Sequence, residues 1–389
     1  MDAPQYTDFR AALSAVPDPR QRRGQRYRWP VLLTLIGAAV VSGQQGMRGI
    51  GQWVAEHAAE LGPLLDLTPG RVPSAATLRR AVRAVDLDAL EEQIAGFVAA
   101  LPAPPPPVAA AAAAAAPMWV GQAIDGKAVR GANRHGAQVH LVSLVRHDDG
   151  RVLGQVAVAE KSNEITAAPR LLARWNLRGT VTTMDAMLTQ RDLATQIRQQ
   201  GGHYLMVAKA NQPELLAAIT TLFTTPPLPE TADEAAATTT CDKGHGRLEI
   251  RTLERSAALN GYLAWPEVGQ VLRRTCQRID LRTGAIGEEV NYGVTSLPPH
   301  AASAAQIEAL WRGHWTIENR VHRVRDVTWG ADAGQVRGGH APQALAALRN
   351  GLLSLLRVLG WTQIADATRH YGAFAARAIQ LLSTPPGRL

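Results

Sequence analysis

Residues 118–131 of the chain read MWVGQAIDGKAVRG, and Asp125 directly follows an apolar run within them. Short apolar runs bounded by glycine and charged residues predict β-strands. The run VTTM at 181–184 is likewise followed at once by Asp185. Because ligands of α/β sheets bind outside the carboxyl ends of the strands, the two aspartates are expected to face one crevice.

A third acid, Glu318, stands in RGHWTIENRVHRVRD at 312–326, where a helix is expected. A helix beside the sheet can bring this residue next to the two aspartates, but three close carboxylates repel one another unless cations lie between them. Mg²⁺ prefers such oxygen ligands, and two ions about 4 Å apart activate a water or a 3′-hydroxyl for attack on a phosphodiester. The spacing alone also fits two turn residues and one helix-surface glutamate.

The surrounding pattern predicts an α/β sheet. Strands are expected at VHLVSLV (139–145) and VLGQVAVA (152–159), forming a meander with the strand before Asp125. Helices and strands then alternate, which is typical of an α/β fold. Strand composition returns between 226 and 297, and ALAALRNGLLSLLRVL at 344–359 predicts an amphipathic helix.

The amino-terminal part of the chain has a different pattern. Residues 1–100 show helical spacing, as in Leu87, Leu90 and Ile94, and no convincing alternating strand. The following segment, LPAPPPPVAAAAAAAAP at 101–117, has no side chains with which to build a core. We therefore expect a small all-helical domain, a Pro/Ala linker and an α/β domain.

Composition and charge narrow the class of protein. The chain has 389 residues, of which 46% are hydrophobic, which excludes a disordered or fibrous protein. Lys and Arg number 41 against 33 Asp and Glu, and the resulting net charge of +8 favours a polyanionic partner. Five arginines between positions 20 and 28 form a basic arm, which either contacts a DNA backbone or is a solvated turn.

Other features argue against a membrane or secreted protein. The apolar run VLLTLIGAAVVSG at 31–43 is shorter than the ~20 residues that span a bilayer, and it predicts a buried helix. The first ten residues, MDAPQYTDFR, do not resemble a signal peptide. The two cysteines, Cys241 and Cys276, support neither a disulfide framework nor a zinc site. We expect a cytoplasmic protein.

Five short segments occur in an order seen in one protein family. They are DGKAVRG (125–131), EKSNE (160–164), DAMLTQ (185–190), KANQ (209–212) and HWTIEN (314–319). On these segments the chain resembles the H-repeat-associated, ISAs-type DDE transposases of insertion sequences.

The resemblance implies an RNase H-like catalytic core over 118–360, with a strand-rich insertion at about 226–297 and a C-terminal tail at 361–389. It further implies that Asp125, Asp185 and Glu318 are the catalytic metal ligands and hold two Mg²⁺ ions, for which Mn²⁺ can substitute. The implied activity is cleavage at element ends and transfer of the 3′-hydroxyl into target DNA. The implied partners are double-stranded DNA of the terminal repeats and the target, bound by a homodimer or higher oligomer associated with the nucleoid.

Basic side chains near these acids and in the basic arm are candidates for DNA contacts, although each also fits a solvated charge. They are Lys127, Arg130, Lys161, Lys209, Arg312, His314, Arg325, Arg22, Arg23 and Arg26. Arg325 is the best candidate for a phosphate clamp, since in an α-helix it lies two turns after Glu318 on nearly the same face. His322 also shares a face with Glu318, where a packing or DNA-contact role is favoured over a metal ligand.

Some positions depart from the family pattern. Relatives often carry tyrosine, arginine and lysine around the glutamate, where this chain has Trp311, His314 and Arg325. Ala331 occupies a position where relatives commonly show a glutamate. The alternative is a domesticated, non-catalytic DNA-binding protein or regulator, against which the presence of all three acids argues. A glycosidase would need neither the basic excess nor a third acid.

Overall fold

The computed structural model describes residues 6–23, 25–102, 119–134, 137–159, 162–225 and 236–388. The chain divides into two compact units. The helical unit comprises residues 1–109, 126–162 and 316–389, and the sheet unit comprises residues 110–125 and 163–315. The predicted amino-terminal domain is therefore part of a larger unit. Of the predicted linker, residues 103–117 lie outside the described part of the chain.

The α-helices are α1 (Phe9–Ser14), α2 (Trp29–Val41), α3 (Met47–Glu56), α4 (Ala58–Leu64), α5 (Ala75–Ala84), α6 (Leu87–Ala100), α7 (Glu164–Leu172), α8 (Arg191–Gln199), α9 (Pro213–Thr224), α10 (Ala304–Gly313), α11 (Ala341–Val358), α12 (Ile364–Gly372) and α13 (Ala375–Ser383). Two π-helical segments follow α10, at Ile317–His322 and Val324–Thr328. A 3₁₀ turn occupies Pro386–Arg388.

The strands are β1 (Val120–Arg134), β2 (Ala137–Arg146), β3 (Val152–Ala157), β4 (Thr180–Met184), β5 (His203–Ala208), β6 (Ala236–Gly244), β7 (Arg247–Ser256), β8 (Gln270–Asp280) and β9 (Ile286–Thr295). The expected mixed α/β architecture with a helical amino-terminal region is confirmed. No helix in the described residues is both long enough and apolar enough to cross a membrane.

The core of the helical unit forms around α2 and α11. The buried helix predicted at 31–43 is confirmed, because every residue of α2 except Pro30 is buried. Phe9 of α1 packs edge-on against Phe97 of α6 with ring centroids 5.1 Å apart. Helix α11, the amphipathic helix predicted at 344–359, packs on α2, α5, α6 and β3.

A buried polar network joins three elements of the helical unit. Asn350 of α11 donates to the Oε1 atom of Gln155 on β3 at 2.7 Å, and Gln155 donates to Glu91 of α6 at 3.0 Å. Gln343 of α11 donates to the same Glu91 oxygen at 2.9 Å. Because buried amides and carboxylates are costly without partners, this network fixes β3 against both helices.

The carboxyl-terminal residues are not a tail. Residues 361–389, predicted as one, contain α12 and α13, and both helices pack on α2. Ile364, Ala367, Ala378 and Leu381 are buried. The apolar spacing of two short amphipathic helices provides this contact, and the segment completes the core of the helical unit.

The sheet unit is built on one large sheet. Its strand order is β1-β4-β5-β9-β8-β7-β6, in which β1, β4 and β5 are parallel and the remaining neighbours are antiparallel. The long strands β6 to β9 match the predicted strand-rich region, of which residues 226–235 lie outside the described part. His245 and Gly246 have positive φ angles and form the two-residue hairpin turn between β6 and β7.

Helix α10 fastens the antiparallel strands of the sheet unit. The guanidinium group of Arg274 on β8 donates to both carboxylate oxygens of Glu308 on α10, at 2.8 and 2.9 Å, and both side chains are buried. Trp311 of α10 lies in the same apolar cluster as Val181 and Leu205. The helix that precedes Glu318 is thus rigidly attached to the sheet.

Candidate active site

Two predicted catalytic aspartates follow paired residues of adjacent parallel strands in the sheet unit. Ile124 of β1 is the register partner of Met184 of β4, and the next residues are Asp125 and Asp185. Neighbouring strands lie ~4.8 Å apart, and residues in equivalent positions face the same side of the sheet. The register therefore brings the two carboxylates together at the carboxyl end of β4.

The two aspartates differ in their local backbone. Asp185 ends β4 as predicted, and its Oδ1 atom accepts the Leu188 N–H at 3.2 Å. Asp125 lies within β1, which continues to Arg134, so the prediction that it follows the end of a strand is wrong. Both residues are half-buried. Both carboxylates therefore remain partly accessible to solvent.

Another acidic residue of the sheet unit, Glu164, lies close to Asp185. It is the first residue of α7 and is only 5% exposed. Burial, together with the negative charge of Asp185, raises the pKa of Glu164 to about 7. This residue was not predicted as a site residue, and the signal available in the sequence was its position at the end of the EKSNE segment at 160–164.

His314, a candidate DNA contact of the sheet unit, lies within hydrogen-bond distance of Thr183 on β4. Its Nδ1 atom is 3.1 Å from the hydroxyl of Thr183, and that hydroxyl also donates to the carbonyl of Gln122 at 3.2 Å. Thr183 precedes Asp185 by two residues on β4. The histidine therefore contacts the strand that carries the aspartate.

Glu318, the predicted catalytic glutamate, lies in the helical unit on the first π-helical segment. Its side chain is 55% exposed, and its Oε2 atom is 2.8 Å from Nδ1 of His322, which is buried. The hydrogen bond from His322, aided by the positive charges of His322 and Lys127, holds the pKa of Glu318 below its usual range. The glutamate is therefore kept ionised, as a metal ligand must be.

Two further basic candidates of the helical unit form ion pairs. Lys127 forms an ion pair with Asp326. The backbone N–H of Arg130 donates to Asp332 at 3.1 Å, while the Arg130 side chain remains 78% exposed. Of these two side chains, only that of Arg130 is largely exposed.

The remaining DNA-contact candidates differ in exposure. Lys209 is exposed in the sheet unit, and the half-exposed Arg312 lies 2.9 Å from Asp242. In the basic arm Arg22, Arg23 and Arg26 are exposed. Lys161 lies outside the described residues.

Arg325, predicted to clamp a phosphate, is instead fully buried in the helical unit. The prediction assumed α-helical spacing from Glu318, but residues 317–322 and 324–328 are π-helical. Bonds from i to i+5 take more than four residues per turn, so seven residues span about one and a half turns instead of two. The Arg325 side chain therefore does not lie on the exposed helical face that carries Glu318, and it is in the core instead.

The tryptophans near Glu318 are mostly core residues. Trp311 and Trp329 are 5% and 1% exposed, so both pack in the protein interior. Trp329 also donates its indole N–H to Thr368 of α12 at 3.1 Å. Trp315 differs, because 58% of it is exposed.

Comparison with known protein families identifies the family to which the chain belongs. The family described as "Transposase DDE domain" matches residues 119–355, and the family described as "DDE_Tnp_1-associated" matches residues 10–98. The chain belongs to the DDE transposase family. The family membership expected from the sequence is therefore confirmed.

Individual relatives of this DDE transposase family member carry consistent names. "Putative transposase YncI" of Escherichia coli O157:H7 is 29% identical over 354 residues, covering 89% of this chain and 86% of the relative. "H repeat-associated putative transposase YhhI" of Escherichia coli strain K12 is 27% identical, covering 88% of this chain and 89% of the relative. A solved piggyBac transposase in a synaptic complex with hairpin DNA has a TM-score of 0.43 and 9% identity, covering 95% of this chain and 75% of that one.

Proposed function

We propose that this DDE transposase family member is an active DNA transposase with an RNase H-like core. It cleaves DNA at the ends of its insertion sequence and joins the freed 3′-hydroxyl to target DNA. The observation that carries the proposal is the register of Ile124 with Met184, which sets Asp125 and Asp185 side by side on parallel strands. The family match over 119–355 supports the proposed reaction class.

The donor set suits a hard divalent cation. Asp125 and Asp185 offer carboxylate oxygens, and Glu318 is proposed as the third ligand. Burial is the main cause of the raised pKa of Glu164, and the negative charge of Asp185 adds to it, so a further carboxyl group lies close to the proposed ligand Asp185. Two Mg²⁺ ions, or Mn²⁺ in their place, would supply Lewis-acid activation of a water or hydroxyl and stabilise the leaving oxygen.

The chain's own residues orient the carboxylates and the DNA in this proposal. The Leu188 N–H and the hydrogen bond of Thr189 Oγ1 to the Asp185 carbonyl, at 3.0 Å, fix the turn that carries Asp185. His322 keeps Glu318 ionised and holds its carboxylate in one orientation. The exposed guanidinium of Arg130 would contact phosphates flanking the scissile bond.

Further DNA contacts are proposed at five exposed side chains and at the partly buried His314. They are Lys209, Arg312, His314 and, in the basic arm, Arg22, Arg23 and Arg26. The DNA is double-stranded, and two ends would be paired by a dimer or higher oligomer. These contacts would position the substrate, whereas the carboxylates would hold the metal ions.

The test is cleavage of a duplex that carries the DNA flanking the coding region, in Mg²⁺. Asp125→Asn, Asp185→Asn and Glu318→Gln should each lower the cleavage rate by on the order of 10³-fold or more, because each removes a charged metal ligand. Asp192→Asn is the matched control, since this exposed acid lies in the first turn of α8. Cleavage at the parental rate by any of the three variants would overturn the proposed site.

A further inference from the structure

A pocket of about 500 Å³ in the helical unit has only basic residues as its charged lining. The amino-terminus of α3, one face of α5 and residues 335–341 form its walls. Four arginines line it, namely Arg48, Arg79, Arg83 and Arg337. All four are exposed, so their guanidinium groups are accessible from solvent.

The positive charge of the pocket is not neutralised by the protein. No acid lines it, and within the described part of the chain none of the four arginines forms an ion pair. Arg79 and Arg83 are four residues apart on α5 and so lie on one face, where like charges repel. Elsewhere in the helical unit, arginines such as Arg20 and Arg151 are paired with aspartates. A cluster of unpaired cations in a concave site is typical of an anion-binding surface.

The backbone shapes the pocket around Arg83. A Cβ atom on Gly338 would lie 2.8 Å from Nε of Arg83, and one on Gly339 would lie 3.0 Å from the Arg83 carbonyl. Gly339 also has a φ of +52°, which disfavours side chains. Glycines at 338 and 339 therefore allow this backbone to approach α5 and form the wall opposite α3.

We propose that this pocket binds the phosphate backbone of duplex DNA, through arginines other than those of the basic arm and the candidate active site. Arginine pairs with phosphate oxygens through its planar fork, and four forks around one concavity can engage neighbouring phosphates of a strand. The choice of DNA as the polyanion rests on the proposed function. None of the four arginines belongs to the basic arm or to the residues of the candidate active site, so replacing them tests a contact that is distinct from those already proposed.

The test measures binding of the full chain to duplex DNA by fluorescence anisotropy over a salt series, without divalent cations. The slope of log affinity against log salt is negative, and each lost phosphate contact reduces its magnitude by about 0.9. Arg79→Gln with Arg83→Gln should therefore reduce the magnitude of the slope by about two. Arg48→Gln with Arg337→Gln should do the same, and it tests the pocket without altering α5. Arg80→Gln is the matched control, because Arg80 is exposed on α5 but does not line the pocket.

Each outcome of this test decides the proposal. A parental slope in both double variants overturns it, and so does an equal fall in the Arg80→Gln control, which would indicate diffuse charge. Displacement of DNA by inorganic phosphate at constant ionic strength would identify a small-anion site and also overturn it. If the parent binds DNA and cleaves ends while the double variants keep its slope, only the pocket is wrong. If the parent binds no duplex, the proposed function fails as well.

Discussion

His322 Nδ1 lies 2.8 Å from Oε2 of Glu318, and the histidine is buried while the glutamate side chain is largely exposed. The hydrogen bond is the largest cause of the lowered pKa of Glu318. A carboxylate that accepts such a bond is both ionised and fixed in orientation. His322 is thus a positioning residue for the proposed metal ligand.

Replacing His322 separates this role from simple packing. His322→Phe keeps a ring but removes the donor, so the pKa of Glu318 should rise towards its ordinary value and the acid limb of the cleavage pH profile should move to higher pH. His322→Gln can still donate and should restore most of the parental profile. Identical profiles for the parent, His322→Phe and His322→Gln, with all three folded, would contradict the role.

Glu164 predicts a pH dependence of stability in the absence of divalent cations. Its pKa is raised from 4.5 in the unfolded chain to about 7, so the folded protein holds the proton more tightly. Its contribution to stability is complete below about pH 4.5 and is lost as the pH rises to about 7. Glu164→Gln mimics the protonated form and should become more stable than the parent as the pH increases.

Urea unfolding at pH 5 and pH 8 in EDTA measures this difference. Glu214→Gln is a suitable control, because Glu214 is an exposed acid in the first turn of α9. The free energy of unfolding of Glu164→Gln, relative to the parent, should increase between the two pH values, whereas that of the control should not. The same difference at both pH values would show that Glu164 does not titrate in this range.

Local sequence patterns predicted the elements that local forces determine. The apolar runs before Asp125 and Asp185 became adjacent strands, and the apolar segment at 31–43 became a buried helix. The stretch at 344–359 became α11, since its apolar periodicity requires a partner surface. The local pattern is sufficient to predict each element, although not the elements against which it packs.

Features that depend on distant contacts were not accessible from the sequence. Burial of Arg325 in the core depends on π-helical winding, which no local sequence pattern predicts. The pocket joins Arg48, Arg83 and Arg337, which are far apart in the chain. Glu164 gains its raised pKa from Asp185, which lies on another element. Tertiary packing, not propensity, decides each of these cases.

The basic arm predicts a salt-dependent contribution to DNA binding. Arg22, Arg23 and Arg26 are exposed, whereas Arg20 pairs with Asp18 at 2.8 Å and lies over the ring of Trp29. Replacing the three exposed arginines by glutamine should reduce the magnitude of the negative slope of log affinity against log salt by about two to three. Arg20→Gln should change stability more than this slope.

Point substitutions are preferable to deleting residues 1–30. Deletion would also remove Phe9 and Trp29, which are buried in the helical unit, and would destabilise it. Salt titrations of the parent, the triple variant and Arg20→Gln provide the measurement. An unchanged slope in the triple variant would show that the arm does not touch DNA.

Burial of Arg325 predicts that this arginine opposes folding and is not needed for chemistry. It is 0% exposed, and its Nε and Nη1 atoms have no hydrogen-bond partner among the described residues. Burial lowers its pKa to about 10, although the charges of Asp326 and Asp332 act in the opposite direction. Arg325→Met keeps much of the volume without a charge and should raise the free energy of unfolding by about 1–3 kcal/mol.

Arg323→Met is the control, since Arg323 is exposed between the two π-helical segments and its replacement should change stability by no more than about 0.5 kcal/mol. Urea unfolding at pH 7 and end cleavage in Mg²⁺ are the two measurements. Arg325→Met should cleave ends at close to the parental rate, because a side chain enclosed by the core has no phosphate to hold. A folded Arg325→Met protein that binds DNA but does not cleave it would mean that the arginine leaves the core in the complex, as a phosphate clamp requires.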